Sequence, residues 1–160
     1  MPDVKGYLQG LQERLVADGC TVTHEKLGGR TVMVGYKSQM KALSKTHIFT
    51  VADAAGQVTE PALRGFTDAA VKLATDRKGR LRGLQSGVIV LPILVGTGVD
   101  AQATAVTQKA YNLNVGGFAV LAQPAVVDVT ADRVWTFRGV RLWGYAFNAL
   151  IKKTYRRYLP

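Results

Sequence analysis

Basic side chains near the C-terminus form the densest group of chemically useful residues in this sequence. Four cations fall within one short segment that is expected to be helical, Lys152, Lys153, Arg156 and Arg157. At about 100° per residue they lie on one face of the helix, opposite the apolar residues Ile151 and Tyr158. Two interpretations stay open for this face: a solvated surface that interacts favourably with the helix dipole, or a surface that contacts phosphate or lipid headgroups.

A second group of cations lies in the middle of the chain. The segment 76–83 is expected to be a glycine-punctuated loop, and its cations are Arg77, Lys78, Arg80 and Arg82. Residues 77–160 carry twelve Lys or Arg and three Asp or Glu, whereas residues 1–76 are nearly balanced. Positive charge gathered in one half of a chain favours an anionic partner. We therefore expect these eight cations to form one continuous patch in a non-catalytic module that binds nucleic acid or another polyanion by backbone contacts.

Two other functions stay open. A basic scaffold or assembly protein would dock an acidic protein or a membrane surface, and an enzyme would act on a nucleotide or phosphorylated ligand at the turn Gly96 to Gly98. These glycines belong to a G-x-G-x-x-A pattern that follows a strand and opens a helix. Asp100 would place a negative charge where a pyrophosphate should bind, and no acid lies about twenty residues further on to hold a ribose. We expect a glycine turn there and predict no cofactor.

Catalytic and metal-binding patterns are not found in the sequence. Cys20 and His24 would be about 13 Å apart along one strand, beyond hydrogen-bond reach. One cysteine and two histidines do not make a zinc cluster. We therefore assign no catalytic residue and predict no metal site, and of the functions considered we favour a non-catalytic one.

The elements that must position these cations are organised around the apolar run 84–95. Its length and composition predict a strand covered on both faces, and Pro92 within it should lie at an edge, a bulge or a bend. With 160 residues, the chain predicts a single α+β domain, 1–160, with a mixed, mainly antiparallel sheet of about six strands and three to four helices. The N-terminus does not resemble a signal peptide and the apolar run is too short to cross a bilayer, so we expect a cytoplasmic location.

The glycines Gly28 and Gly29 predict a hairpin between two strands. A two-residue loop would align His24 with Met33, whereas a three-residue loop would align it with Val34. The second register gathers the apolar residues of both strands on one face. It is therefore the register that we predict.

The order helix, three strands, helix, strand at the front of the chain resembles the core of the restriction-endonuclease-like nucleases. Such an active site needs an Asp in the second strand and an acid-x-Lys in the third, which together hold a divalent cation. This chain has Val32, Val34 and Tyr36 in the second strand, and the third begins at His47. The resemblance is to topology alone, and the missing carboxylates argue against metal-dependent cleavage.

Overall fold

Four helices and ten strands make up the part of the chain that the structure, a computed structural model, describes: residues 3–41, 44–80, 86–109, 111–115, 118–138 and 148–160. The helices are α1 (Val4–Ala17), α2 (Glu60–Arg80), α3 (Ala101–Thr107) and α4 (Asn148–Tyr158). The strands are β1 (Thr21–Leu27), β2 (Arg30–Lys41), β3 (Ser44–Ala54), β4 (Gln57–Val58), β5 (Ser86–Gly96), β6 (Gly98–Val99), β7 (Tyr111–Val115), β8 (Phe118–Ala122), β9 (Ala125–Asp128) and β10 (Arg133–Trp135). The predicted α+β class is confirmed.

Eight of the described strands form one mixed sheet with β5 at its centre. The order is β1-β2-β3-β5-β8-β7, and β9 runs alongside β5 beyond the end of β8 and pairs with β10. The first three strands form an antiparallel meander, whereas β3, β8 and β9 are parallel to β5. The short strands β4 and β6 form a separate parallel pair. Because β8 and β9 follow one another along the same edge of β5, the sheet is six strands across, and the predicted mixed sheet of about six strands is confirmed.

Strand β5 is buried from residue 88 to residue 96, as the apolar run predicts. One edge of β5 pairs with β3 along its length. The other edge pairs first with β8 and then with β9, and both of these strands keep the same register relative to β5. The interruption between β8 and β9 includes Pro124, which this register places opposite Pro92. The amide of Gln123 donates to the carbonyl of Val90 at 2.9 Å, so the backbone groups of Val90 face this edge of β5. Pro92 lies two residues after Val90 in the same strand, and its nitrogen therefore points to the same edge, toward the interruption between β8 and β9. Pro92 therefore lies at the centre of the sheet, where a missing donor is tolerated because the ladder is interrupted.

Helices cover both faces of the sheet. α1 and α4 pack on one face, where Leu15 and Ile151 join an apolar cluster that includes Ile89. α2 packs on the opposite face, where Ala70 joins a cluster that includes Val90. Successive residues of β5 therefore contribute to different cores, as the alternation of side chains along a strand requires.

The hairpin between β1 and β2 has a two-residue loop, so the predicted three-residue register is wrong. His24 pairs with Met33 rather than with Val34. Gly28 has a φ of +59° and Gly29 a φ of +82°, and a type I′ turn requires positive φ at both positions. The prediction assumed that only one face of the hairpin is buried. Because helices cover both faces, Met33 is buried in one cluster and Val34 in the other.

Two helices end at residues other than those the sequence predicts. α2 continues to Arg80 through the segment that was expected to be a loop. An ion pair between Lys72 and Asp76 one helical turn apart and an ion pair between Arg77 and Glu25 of β1 both support this extension. The alanine-rich segment after Asp100 predicts a short helix to Tyr111, whereas α3 ends four residues earlier, at Thr107.

A buried carboxylate, that of Asp18, joins α1, β2 and α4. Its Oδ2 accepts hydrogen bonds from Lys37 Nζ at 2.7 Å and from the Tyr158 hydroxyl at 2.5 Å, and its Oδ1 accepts one from the Arg157 guanidinium. Only 6% of the Asp18 side chain is exposed. In addition, Arg14 Nε of α1 donates to the Tyr158 carbonyl at 2.7 Å. The C-terminal end of α4 is thus held to α1 by both side-chain and backbone contacts.

The pKa values in this cluster favour one charge state at neutral pH. Burial alone would raise the pKa of the Asp18 carboxyl, but the hydrogen bonds from Lys37, Tyr158 and Arg157 outweigh burial and hold the pKa below its ordinary value. Burial and the hydrogen bonds to Asp18 and Cys20 raise the pKa of the Tyr158 hydroxyl well above its ordinary value. Burial also raises the pKa of the Cys20 thiol. Asp18 is therefore ionised, whereas its hydroxyl and thiol neighbours are neutral.

Substitution of Gly29 by alanine should destabilise the protein by about 1 kcal/mol, because a Cβ is disfavoured at positive φ. Gly65→Ala is the matched control, since Gly65 lies inside α2 and an added Cβ would meet no atom within 4 Å. That substitution should stabilise the protein by roughly 0.5–1 kcal/mol. Urea denaturation measures both effects. A Gly29→Ala protein at least as stable as the wild type would contradict the assigned turn.

Substitution of Asp18 by asparagine should destabilise the protein by about 3 kcal/mol near neutral pH, because three donors lose a buried, charged acceptor. Because folding lowers the pKa of Asp18, its carboxylate stabilises the fold fully at pH values above the ordinary pKa of an aspartate. This stabilisation is lost as the pH falls through the pKa of Asp18 in the folded protein. The difference in unfolding free energy between wild type and Asp18→Asn should therefore narrow below about pH 4.

Asp76→Asn is the control for this measurement. Asp76 pairs with Lys72 at 3.6 Å, but their side chains are 66% and 80% exposed. Its loss should cost less than about 0.5 kcal/mol. A difference between wild type and Asp18→Asn that stays constant from neutral pH into the acid range would show that the Asp18 carboxylate does not carry this stabilisation.

Candidate anion-binding groove

The two predicted basic segments lie on opposite sides of the sheet. Arg77, Lys78 and Arg80 belong to the C-terminal end of α2, whereas the cations of residues 152–157 belong to α4. These two helices contribute to apolar clusters on opposite faces. Arg82 lies outside the described residues. Within the described part of the chain, the expectation of one continuous patch is wrong, because the sheet separates α2 from α4.

Two of the predicted cations have carboxylate partners inside the protein. Arg77 pairs with Glu25 of β1, and Arg157 pairs with Asp18 at the end of α1. A guanidinium whose charge is already matched contributes less to the attraction of an anion. Both residues are therefore better explained by the stability of the fold than by a ligand.

Lys152 and Arg156 line a groove between α4 and the segment that follows β10. The groove has a volume of about 490 Å³, and Arg138 is its third cation. The other residues that line it are Val134, Thr136, Phe137, Tyr155 and Leu159. No carboxylate lines the groove, and among the described residues none of the three cations forms an ion pair. The groove is thus a concave site of positive charge.

The cations of α4 are divided between two sides of the helix. Lys152 and Arg156 are one helical turn apart and line the groove, whereas Arg157 contacts Asp18 on the side of α1. Lys153 is exposed. The basic face that the sequence predicts is therefore wide. One border, with Lys152 and Arg156, faces the groove, and the other, with Arg157, faces α1.

One wall of the groove is fixed by the side-chain amide of Gln108, which follows α3. Its Nε2 donates to the Thr136 carbonyl at 2.8 Å, and its Oε1 accepts from the Arg138 amide at 3.3 Å. The same Nε2 contacts the Thr107 hydroxyl at 2.9 Å. The backbone that carries Arg138 is therefore held in place by a residue from another element.

The opposite wall is fixed by Gln123, a fully buried residue between β8 and β9. Its carbonyl accepts a hydrogen bond from the Tyr155 hydroxyl of α4, and its Nε2 donates to the carbonyls of Thr107 at 2.9 Å and Lys109 at 3.2 Å. Both walls thus connect to the end of α3 through hydrogen bonds. The distance between Arg138 and α4 is consequently set by the interior of the protein.

The segment of the chain that lines the groove carries no acidic side chain. Residues 133–160 contain seven Lys or Arg and no Asp or Glu. The floor is apolar, since Phe137 and Leu159 are only 8% and 6% exposed. Charges beside a region of low dielectric interact more strongly than charges surrounded by water. Three cations would attract an anion in the groove, and no carboxylate among the lining residues would repel it.

Arg138 is the residue that the sequence analysis missed. It lies three residues after the end of β10, outside any helix or strand, so it belongs to no periodic pattern of charge along the chain. Its proximity to Lys152 and Arg156 depends on contacts between distant parts of the chain, so no local pattern indicates it. The acid-free composition of residues 133–160 is the one signal that could have drawn attention to it.

The glycines Gly96 and Gly98 have a structural explanation. A Cβ on Gly96 would lie 2.7 Å from the Gly56 carbonyl oxygen, so the close approach that this glycine permits is to the protein's own backbone. α3 has seven residues, and the Asp100 carboxylate before it accepts a hydrogen bond from Gln57 Nε2 at 2.6 Å. The Asp100 side chain makes no capping hydrogen bond to the helix. The turn thus lacks the features of a phosphate-binding loop.

The nuclease-like positions hold residues other than carboxylates. On β2 and β3, the Tyr36 hydroxyl and His47 Nδ1 are 2.7 Å apart, and the two rings are stacked. His47 is 3% exposed and lies in the interior. Among the described residues, no group of three or more His, Cys, Asp or Glu side chains has the arrangement of a metal site.

Comparisons with protein-family models, with curated proteins and with solved structures find no match to this chain. In the described part of the chain, no helix combines the length and the apolar character needed to cross a membrane.

Proposed function

We propose that this protein is a non-catalytic basic module that binds a polyanion, with nucleic acid as the leading candidate. The observation that carries the proposal is the groove, where Arg138, Lys152 and Arg156 converge without an ion-pair partner among the described residues. Lys153 on the exposed side of α4 adds a fourth positive charge nearby. Backbone phosphates are anions that such point charges and guanidinium groups bind well.

The proposed contact set is narrower than the one expected from the sequence. Arg77 and Arg157 are matched by carboxylates, so they are not part of it. The remaining cations of α2 lie on the other side of the sheet and would need a second ligand. The groove and the exposed side of α4 are thus the surface on which the proposal depends.

Recognition should be independent of base sequence. Tyr155 and Tyr158, which could stack on bases if exposed, are 3% and 0% exposed and belong to the core. Phe137 at the groove is 8% exposed. Because the aromatic residues among the described lining of the groove, Phe137 and Tyr155, are buried, binding there rests on phosphate contacts, and these determine position and affinity but not sequence.

Replacement of Lys152 and Arg156 by glutamine should reduce the salt dependence of binding. Each lost phosphate contact lowers the slope of log K against log salt by about 0.7–0.9, so the double variant should lose roughly 1.5 from that slope. Fluorescence anisotropy with a short labelled DNA, at salt concentrations from about 50 to 200 mM, measures this change.

The matched control is Lys26→Gln with Lys45→Gln, which removes the same charge from two exposed residues outside the groove. Its slope should stay that of the wild type. Equal slopes for both double variants would remove the groove from the proposal. If nuclease-treated wild-type protein binds acidic proteins or anionic vesicles but no DNA or RNA, the nucleic-acid proposal is wrong.

A further inference from the structure

We infer that the groove binds a terminal phosphate monoester of a nucleic-acid strand in preference to an internal phosphodiester. This inference rests on the proposed function and deepens it. It concerns the shape and charge of one site rather than the overall basicity of the protein.

The first observation is that the cations converge. Lys152 and Arg156 project from one side of α4, roughly 5–6 Å apart at their Cβ atoms, and Arg138 comes from a separate segment. Cations on two walls of a concave site surround a compact anion. A continuous nucleic-acid strand, in contrast, is matched by cations spread along a surface. The opposite border of α4 does not extend the row of free cations, because Arg157 is paired with Asp18.

The second observation is the amount of charge. An internal phosphodiester carries one negative charge, whereas a phosphate monoester carries about 1.5 to 2 at neutral pH and has three terminal oxygens that accept hydrogen bonds. Three unmatched cations balance the monoester more closely. A guanidinium such as that of Arg138 or Arg156 can also donate two parallel hydrogen bonds to two of these oxygens.

The third observation is the size of the groove and the fixed position of its walls. Its volume of about 490 Å³ suits a ligand group of mononucleotide size. Gln108 and Gln123 fix its two walls through hydrogen bonds to the end of α3. Fixed walls reduce the ordering that binding of such a group requires.

The experiment compares two oligonucleotides of one sequence, one with a 5′-phosphate and one with a 5′-hydroxyl, each labelled at the 3′ end. Wild-type protein should bind the phosphorylated strand about tenfold more tightly at constant salt. Arg138→Gln should reduce this preference to less than about twofold, since the variant loses one of three cations around the monoester. The preference should also weaken below about pH 6, where the monoester gains a proton.

Arg133→Gln is the matched control, because it removes the same charge from the neighbouring strand. Arg133 lies over the ring of Trp135 at 4.9 Å and does not line the groove. This variant should keep the full preference for the phosphorylated strand. Thermal melts of both variants show whether each is folded, and Lys152→Gln replaces Arg138→Gln if the latter unfolds.

The outcomes separate the two proposals. Equal affinity of wild-type protein for both strands, with salt-dependent binding intact, overturns the terminal-phosphate inference and leaves the polyanion function standing. Absence of binding to either strand overturns both. Vesicles with phosphatidic acid present the same monoester, so tight binding to them together with equal binding of the two strands would assign the groove to a lipid headgroup and overturn the inference.

Discussion

Strand β5 sets the constraint on which the rest of the structure depends, because none of its sides faces water. It is buried on both faces and paired along both edges, so each of its backbone polar groups needs a partner inside the protein. Pro92 and Pro124 remove donors at the interruption of the ladder. Gln123 bridges this interruption, since its amide donates to Val90 and its carbonyl accepts from Tyr155. α4 is therefore attached to the sheet at the residue that completes the pairing of β5.

The same burial determines where charge can accumulate. Helices on both faces place α2 and α4 on opposite sides, so a net charge of +10 does not become one surface. On the α1 side of α4, the buried carboxylate of Asp18 matches Lys37 and Arg157. On the other side, the walls of the groove come largely from residues 133–160, which contain no Asp or Glu. Local composition, more than total charge, thus produces the positive groove.

Patterns in the sequence predicted features that depend on neighbours in the chain: the buried central strand, the α+β class and the docked side of α4 with Ile151. They failed where distant partners decide the outcome. The hairpin register was predicted on the assumption that only one face of the hairpin is apolar, and this assumption fails because helices cover both faces of the sheet. The conformational preference of Gly28 and Gly29 for positive φ indicated the correct two-residue turn. Arg138 was missed because its position near α4 is fixed by Gln108, which belongs to another element and leaves no periodic signal.

Three like charges around one groove oppose folding, because cations closer than a Debye length repel one another. A flexible patch would relieve this repulsion by moving its side chains apart into water. In this groove the backbone of Arg138 is held by Gln108, and α4 is held by Tyr155 and by the Asp18 cluster, so the walls keep their spacing although the side chains of Arg138 and Arg156 are exposed. An anion that enters removes repulsion and adds attraction at little cost in ordering. A basic surface kept only for solubility needs net charge but no convergence of cations, whereas the proposed anionic ligand would account for that convergence.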